Sequence, residues 1–302
     1  MFQKDFASIK RGVLLCLLLS LCSAVFAQED LLSLLGEDEA TTDYVKASFK
    51  TNRVVNLHSL ESTAGGVFDF KINHRFGFIN GGIDELFGLD VAMIRIGGDY
   101  GITDRLTVGA GRNSFEKTYD GFLKYKLLWQ STGAKEMPIS LALFASTAIR
   151  TIPFRDPDRE NYVSSKMFYT FQAIIGRKFS ESFSFQLSPT LVHRNLVATR
   201  AEKNDVLAMA AGTRLKLSKR LAINAEYVYV LPDQLAEIYK NSFTIGFDIE
   251  TGGHVFQLHF TNSTSMIEKG FVTETTGDWL DGDIHFGFNV SRVFTVAKGK
   301  KE

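Results

Sequence analysis

Charged side chains at every second position are the feature of this chain that carries the most chemistry. Asp69, Lys71 and Arg75 alternate with apolar residues, and Arg95 with Asp99, and Lys124 with Lys126, repeat the spacing. Arg150, Lys166, Arg194, Arg214, Glu226, Asp248 and Glu250 continue it, with His259 and His285 on the same predicted face. Charges on one face of a sheet steer or bind solutes where they border water, and neutralise one another where they are packed. A buried charge needs one of these two conditions. Both are expected of a lumen lined by these side chains.

Other constellations point less far. Ser291 and His285 share the polar face but lie six residues apart on one strand, too far for a nucleophile and its base. Neither a G-x-S-x-G elbow nor an H-E-x-x-H helix occurs. His259 and His285 fall on neighbouring strands, yet two imidazoles without a third ligand do not define a zinc site. Asp278, Asp281 and Asp283 lack the spacing of a calcium loop. The expectation is a protein that is not an enzyme, with no cofactor and no metal.

The elements that must position these side chains are strands. In Val67-Phe68-Asp69-Phe70-Lys71-Ile72-Asn73-His74-Arg75-Phe76 one face collects Phe68, Phe70, Ile72 and Phe76, and the other Asp69, Lys71, Asn73 and Arg75. A strand separates the two sets, whereas a helix mixes them. The same division predicts strands over 67–76, 91–101, 105–112, 119–129, 139–150, 163–176, 183–194, 205–217, 221–231, 241–250, 254–262 and 283–295. Many reach the roughly 9–11 residues needed to cross a bilayer at a tilt. Short turns at 102–105, 177–182, 218–220 and 251–253 alternate with long connections at 77–90, 151–162, 195–204, 232–240 and 263–282. Connections of middling length lie near 113–118 and 130–138. One short-turn rim and one long-loop rim predict an all-β fold: a closed antiparallel transmembrane β-barrel of about twelve strands in an up-and-down meander. Loop 263–282 is long enough to fold into the lumen or to stand outside it.

The ends suggest export. Lys4, Lys10 and Arg11 precede an apolar run from Val13 to Leu21, and Ala24-Val25-Phe26-Ala27 offers a cleavage site before Gln28. Both cysteines, Cys16 and Cys22, fall inside this leader, so no disulfide or thiolate chemistry is expected beyond it. The domain reading is a signal peptide at 1–27, a periplasmic lead-in at 28–66, the barrel at 67–297 and a tail at 298–302. The 34 basic and 34 acidic residues balance, and losing Lys4, Asp5, Lys10 and Arg11 leaves a formal charge of −2. Without a basic patch, nucleic acid is not an expected partner.

His74-Arg75-Phe76-Gly77, Phe87-Gly88-Leu89-Asp90 and the run from Ile96 to Leu106 around Thr103-Asp104-Arg105 are similar to a Bacteroidetes outer-membrane β-barrel family of unknown function. The resemblance spans roughly residues 44–297. It implies an outer-membrane location, but no substrate and no site residues. The chain departs from many such barrels at its end, where Phe294 lies inside the terminal strand instead of at the last residue. The expected partners are outer-membrane lipid, the barrel-assembly machinery and small solutes. The leading reading is a small pore or solute-binding barrel of unknown substrate. Its alternatives are a structural or surface-interaction barrel without conduction, and a soluble periplasmic lipid-binding β protein.

Overall fold

The computed structural model describes residues 41–154, 156–158, 160–200 and 202–297. The leader at 1–27, the first part of the lead-in and the tail at 298–302 lie outside the described residues. In chain order the strands are β1 (Thr42–Tyr44), β2 (Val67–Phe78), β3 (Ala92–Gly101), β4 (Leu106–Asn113), β5 (Thr118–Leu128), β6 (Ser131–Gly133) and β7 (Ser140–Arg150). They continue with β8 (Met167–Lys178), β9 (Phe183–Arg194), β10 (Asp205–Lys216), β11 (Leu221–Val230), β12 (Ser242–Thr251), β13 (His254–Thr261) and β14 (His285–Thr295). One short helix, α1 (Glu268–Thr273), lies in the last long connection.

All strands except β1 and β6 form one closed barrel, in which each pairs antiparallel with its neighbours in sequence. Closure is made by β14 on β2, from His285↔Phe78 to Thr295↔Val67. The barrel thus has twelve strands in a meander, and no backbone edge is left open. Counting from β2 places the β5–β7 connection on the short-turn rim and the β4–β5 connection on the long-loop rim. The former carries β6, which pairs with β1 as a small sheet apart from the barrel.

The period-two pattern settles which face is which. Phe70, Ile96, Leu123, Leu143, Phe171, Leu207, Tyr227, Phe247 and Leu258 are exposed on the outside, while Asp69, Lys71, Arg75, Arg95 and Lys124 are buried inside. A continuous apolar outer belt of this extent is untenable in water. This removes the soluble alternative, which needs the oily rows packed inward. Glycine clears space for the charged interior: a side chain on Gly111 would run into the Arg95 guanidinium, and one on Gly109 into Asp99 and Phe122.

Two expectations are corrected. Lys166 ends a 3-10 turn, Val163–Lys166, ahead of β8, so the predicted strand start at 163 was four residues early. A 3-10 turn has about three residues per turn against the strand's two, so the face assignment of the strand does not carry back through it to Lys166. The second half of the lead-in is not a periplasmic spacer: from Ser48 to Leu60 nearly every residue is buried within the barrel.

Candidate functional site: a plugged lumen

The lumen is filled from both rims. Residues 47–63 enter as a tight hairpin, closed by Val54 N–H to Leu57 O at 2.8 Å and Ser59 N–H to Asn52 O at 3.0 Å. From the long-loop rim the 263–282 connection folds inward, and every residue of α1 is buried. Of the two placements left open for this connection, the lumen is the one observed. The two inserts meet where Arg53 pairs with Glu268 at 3.1 Å, with the His58 ring 3.5 Å from the same carboxylate.

A hairpin in the lumen has backbone groups with no sheet to join, and each must find a partner. The wall supplies them. Glu226 on β11 accepts the N–H groups of Val55 at 2.7 Å, Asn56 at 2.9 Å and Leu57 at 2.8 Å. Across the lumen, Lys124 on β5 donates to the carbonyls of Asn52, Ser59 and Glu61. One anion thus holds the donors of the turn, and one cation its acceptors. Neutral wall amides complete the set: Gln186 donates to His58 O at 2.7 Å, Gln257 to Val54 O at 2.7 Å and Asn289 to Val55 O at 3.1 Å. Arg75 donates to the Asn56 side chain.

Other lumen charges pair mainly with the wall and its loops, although Lys71 and Asp99 also bond the Asn52 side chain of the hairpin, each at 2.9 Å. Lys71 pairs with Asp99, and with Asp69 at 3.2 Å, while Arg95 makes a two-pronged pair with Asp120. Arg214 lies 3.5 Å from Asp248, and Arg194 pairs with Glu202 at 2.7 Å. Lys126 lies over the Trp129 ring at 4.1 Å. Arg150, Lys166, Arg214 and Glu250 are only half-buried; Arg150 reaches Glu116, and Glu250 reaches Lys50. The two signs therefore interleave along the wall. Lys71 reaches the adjacent β3, whereas Arg95 and Arg214 reach carboxylates one strand further round, past β4 and β11.

His285 and His259 are both buried, but they do not face a common centre. His285 bonds Thr264 at 2.9 Å and Phe76 O at 2.8 Å, whereas His259 has no hydrogen-bond partner. Ser291 donates to Asp69, so its hydroxyl is engaged away from His285. Among the described residues no three His, Cys, Asp or Glu side chains converge on a metal position.

Outside the strands, burial dominates the ionisation of the plug. Burial, followed by the cations Arg53 and Lys124, holds the His58 imidazole well below the ordinary histidine value. Burial pushes the Glu268 carboxyl up, and Arg53 opposes that shift.

Sequence reasoning missed the plug residues Asn52, Arg53, Asn56 and His58. The available signal was the cluster of Val54, Val55, Leu57 and Leu60 among asparagines and serines, a mixture suited to a turn with an oily side. It has neither strand nor helix period, so it read as linker.

A family model described as Membrane bound beta barrel domain (DUF5777) matches residues 49–294. No curated relative matches the chain. Among solved structures, the chain is similar to the NanC porin at 7% identity and a TM-score of 0.47, covering 76% of this chain and 98% of that one. It is also similar to an outer membrane channel from Pseudomonas putida F1, at 15% identity and a TM-score of 0.42, covering 77% and 96%. OmpT, an outer membrane protein of Vibrio cholerae, matches at 10% identity and a TM-score of 0.37, covering 78% and 99%.

Proposed function

From the premise that this chain belongs to the family of membrane-bound β-barrel domains, we propose that it is a gated pore of the outer membrane for small polar solutes, with residues 47–63 as the gate. The reading rests on one contrast in the lumen. Lys71 and Arg95 have carboxylate partners on the wall, but Glu226 and Lys124 are satisfied by the backbone of a removable hairpin. A barrel built only as a solid post needs no wall charge that depends on a separate insert. When the hairpin leaves, both charges face water instead of protein, and the wetted lumen is lined by ions of both signs. The gate is held by charge-assisted hydrogen bonds of roughly 1.5–3 kcal/mol each, strong enough to keep the closed state dominant.

The filled lumen also favours a second reading, a barrel that never conducts. Planar-bilayer recording separates the two. The pore reading expects rare openings from the wild type and frequent ones from Glu226→Ala, which removes the acceptor of three backbone N–H groups. Silence from both proteins, with heat-modifiable gel migration showing that both are folded, would leave the non-conducting barrel.

A further inference from the structure

The outer wall is not uniform. A groove of about 630 Å³ runs across β7–β10, flanked by Leu143, Phe171, Leu207 and Met209 and floored by Ala173 and Pro189. Pro189 lies in the middle of β9, where a proline removes a ladder donor and is seldom tolerated. The consequence is visible in the pairing. The β9–β10 ladder runs through Met209↔Pro189 without a break, whereas β8–β9 has no pairing between Gln172↔Thr190 and Ile175↔Leu187. The Ser188 carbonyl accepts from the hydroxyl of Thr190 at 3.0 Å, a bond within its own strand.

Directly behind this gap the lumen is oily. Ile174 and Ser188 face inward there, and the cluster around them includes Ala142, Phe144, Val192, Ala208 and Ala210, together with Leu57 of the plug. Neither the groove nor the inner patch holds a charged residue. A break in the backbone ladder at lipid depth costs several kcal/mol per unsatisfied group. Here it coincides with an apolar groove outside and an apolar cluster inside.

We propose that the β8–β9 seam at Pro189 is a lateral port, and that the groove over it seats the acyl chain of a free fatty acid passing between bilayer and lumen. The inference rests on the pore reading, since a port requires a lumen that can be occupied. The chemistry selects the ligand. The tail finds mostly aliphatic and aromatic side chains on either side of the seam, beside the Gln172–Thr190 hydrogen bond at 3.0 Å that bridges it, and the carboxylate finds Lys124, which donates to three carbonyls of the plug.

The test uses the full chain in phosphatidylcholine nanodiscs, photolabelled with a diazirine-bearing palmitate and mapped by mass spectrometry. The port expects adducts on Met209 of the groove and on Phe144, Ile174 and Leu57 inside. Adducts confined to outward residues, at the level found on Phe247 and Leu258 far from the groove, would mean ordinary lipid contact and overturn it. Ala173→Cys with Pro189→Cys places two thiols opposite each other in a chain whose own cysteines are Cys16 and Cys22. Oxidation is expected to lower the inner adducts roughly tenfold and reduction to restore them, given that cross-strand cysteines can meet disulfide geometry. Should no bridge form, Pro189→Val, which returns an N–H to the ladder, is expected to cause the same fall. Inner adducts unchanged by either closure would sink the port. A Glu226→Ala barrel that conducts while palmitate never labels its interior keeps the pore and discards the port; a silent barrel discards the pore itself.

Discussion

The lumen has two unlike walls. Along β2, β3 and β5 the inner side chains are charged and mutually paired, through Lys71–Asp99 and Arg95–Asp120. Along β7–β10 they include, beside polar residues such as Gln172 and Gln186, a run of Ala142, Phe144, Ile174, Val192, Val206 and Ala208, which clusters with Phe49, Val54, Leu57 and Leu60 of the hairpin and Phe271 and Val272 of the inward loop. The first wall acts through directional bonds that fix where the insert sits. The second adheres without direction, in proportion to area. A gate needs both: adhesion to close, and a few localised bonds whose loss opens it.

Breaking the charged wall should have the largest effect. Asp120→Ala strands the Arg95 guanidinium, which is buried and paired through two of its nitrogens, at an expected cost of about 3–5 kcal/mol in urea unfolding from lipid vesicles. Adding Arg95→Met should recover most of that loss, because an apolar replacement has no charge to desolvate. Failure of the double variant to recover would show that the pair is not the cause.

On the oily wall, Ile174→Ala should cost about 2–4 kcal/mol in the same assay, and Ile174→Val about 1 kcal/mol. A charged-wall and an oily-wall substitution combined should be additive, since they share no partner.

Glu226→Gln sharpens the contrast at the gate. It keeps one acceptor but loses the charge, and is expected to weaken the grip by about 1–3 kcal/mol. The change should appear as faster amide exchange at Val55, Asn56 and Leu57, with little effect on global unfolding.

The smallest effect concerns pH. The docked hairpin holds His58 neutral, so it binds fewer protons than the released hairpin below the ordinary histidine value of 6.5. The stabilisation is therefore present above pH 6.5 and lost as pH falls, by about 1.4 kcal/mol per unit at most. Glu268, pushed up from its ordinary 4.5, acts in the opposite sense, its contribution being lost as pH rises. Comparing hairpin exchange at pH 7 and 5.5, corrected for intrinsic rates, should show acid-induced loosening that His58→Phe reduces.

The barrel was legible because its rule is local: a side chain facing lipid differs from its neighbour facing the lumen, and that alternation survives in the sequence over 67–76 as over 283–295. Inner apolar residues such as Phe144 and Ile174 blur the pattern without erasing it. The hairpin obeys no such rule. Its backbone is satisfied by Glu226, Lys124, Gln186 and Gln257, residues distant in sequence, so nothing within 47–63 announces the partners. Glu226 was readable as lumen-facing, but its role as an anchor depends on a segment that looks like linker.

The most direct test of the gate is a reversible tether. A side chain placed on Gly212 would meet Val54 Cγ2 at 3.2 Å, so Val54→Cys with Gly212→Cys can bind the hairpin to the wall. In the Glu226→Ala background, planar-bilayer current should vanish on oxidation and return on reduction. Equal current in both redox states would show that solutes pass without movement of the hairpin, and would contradict the account.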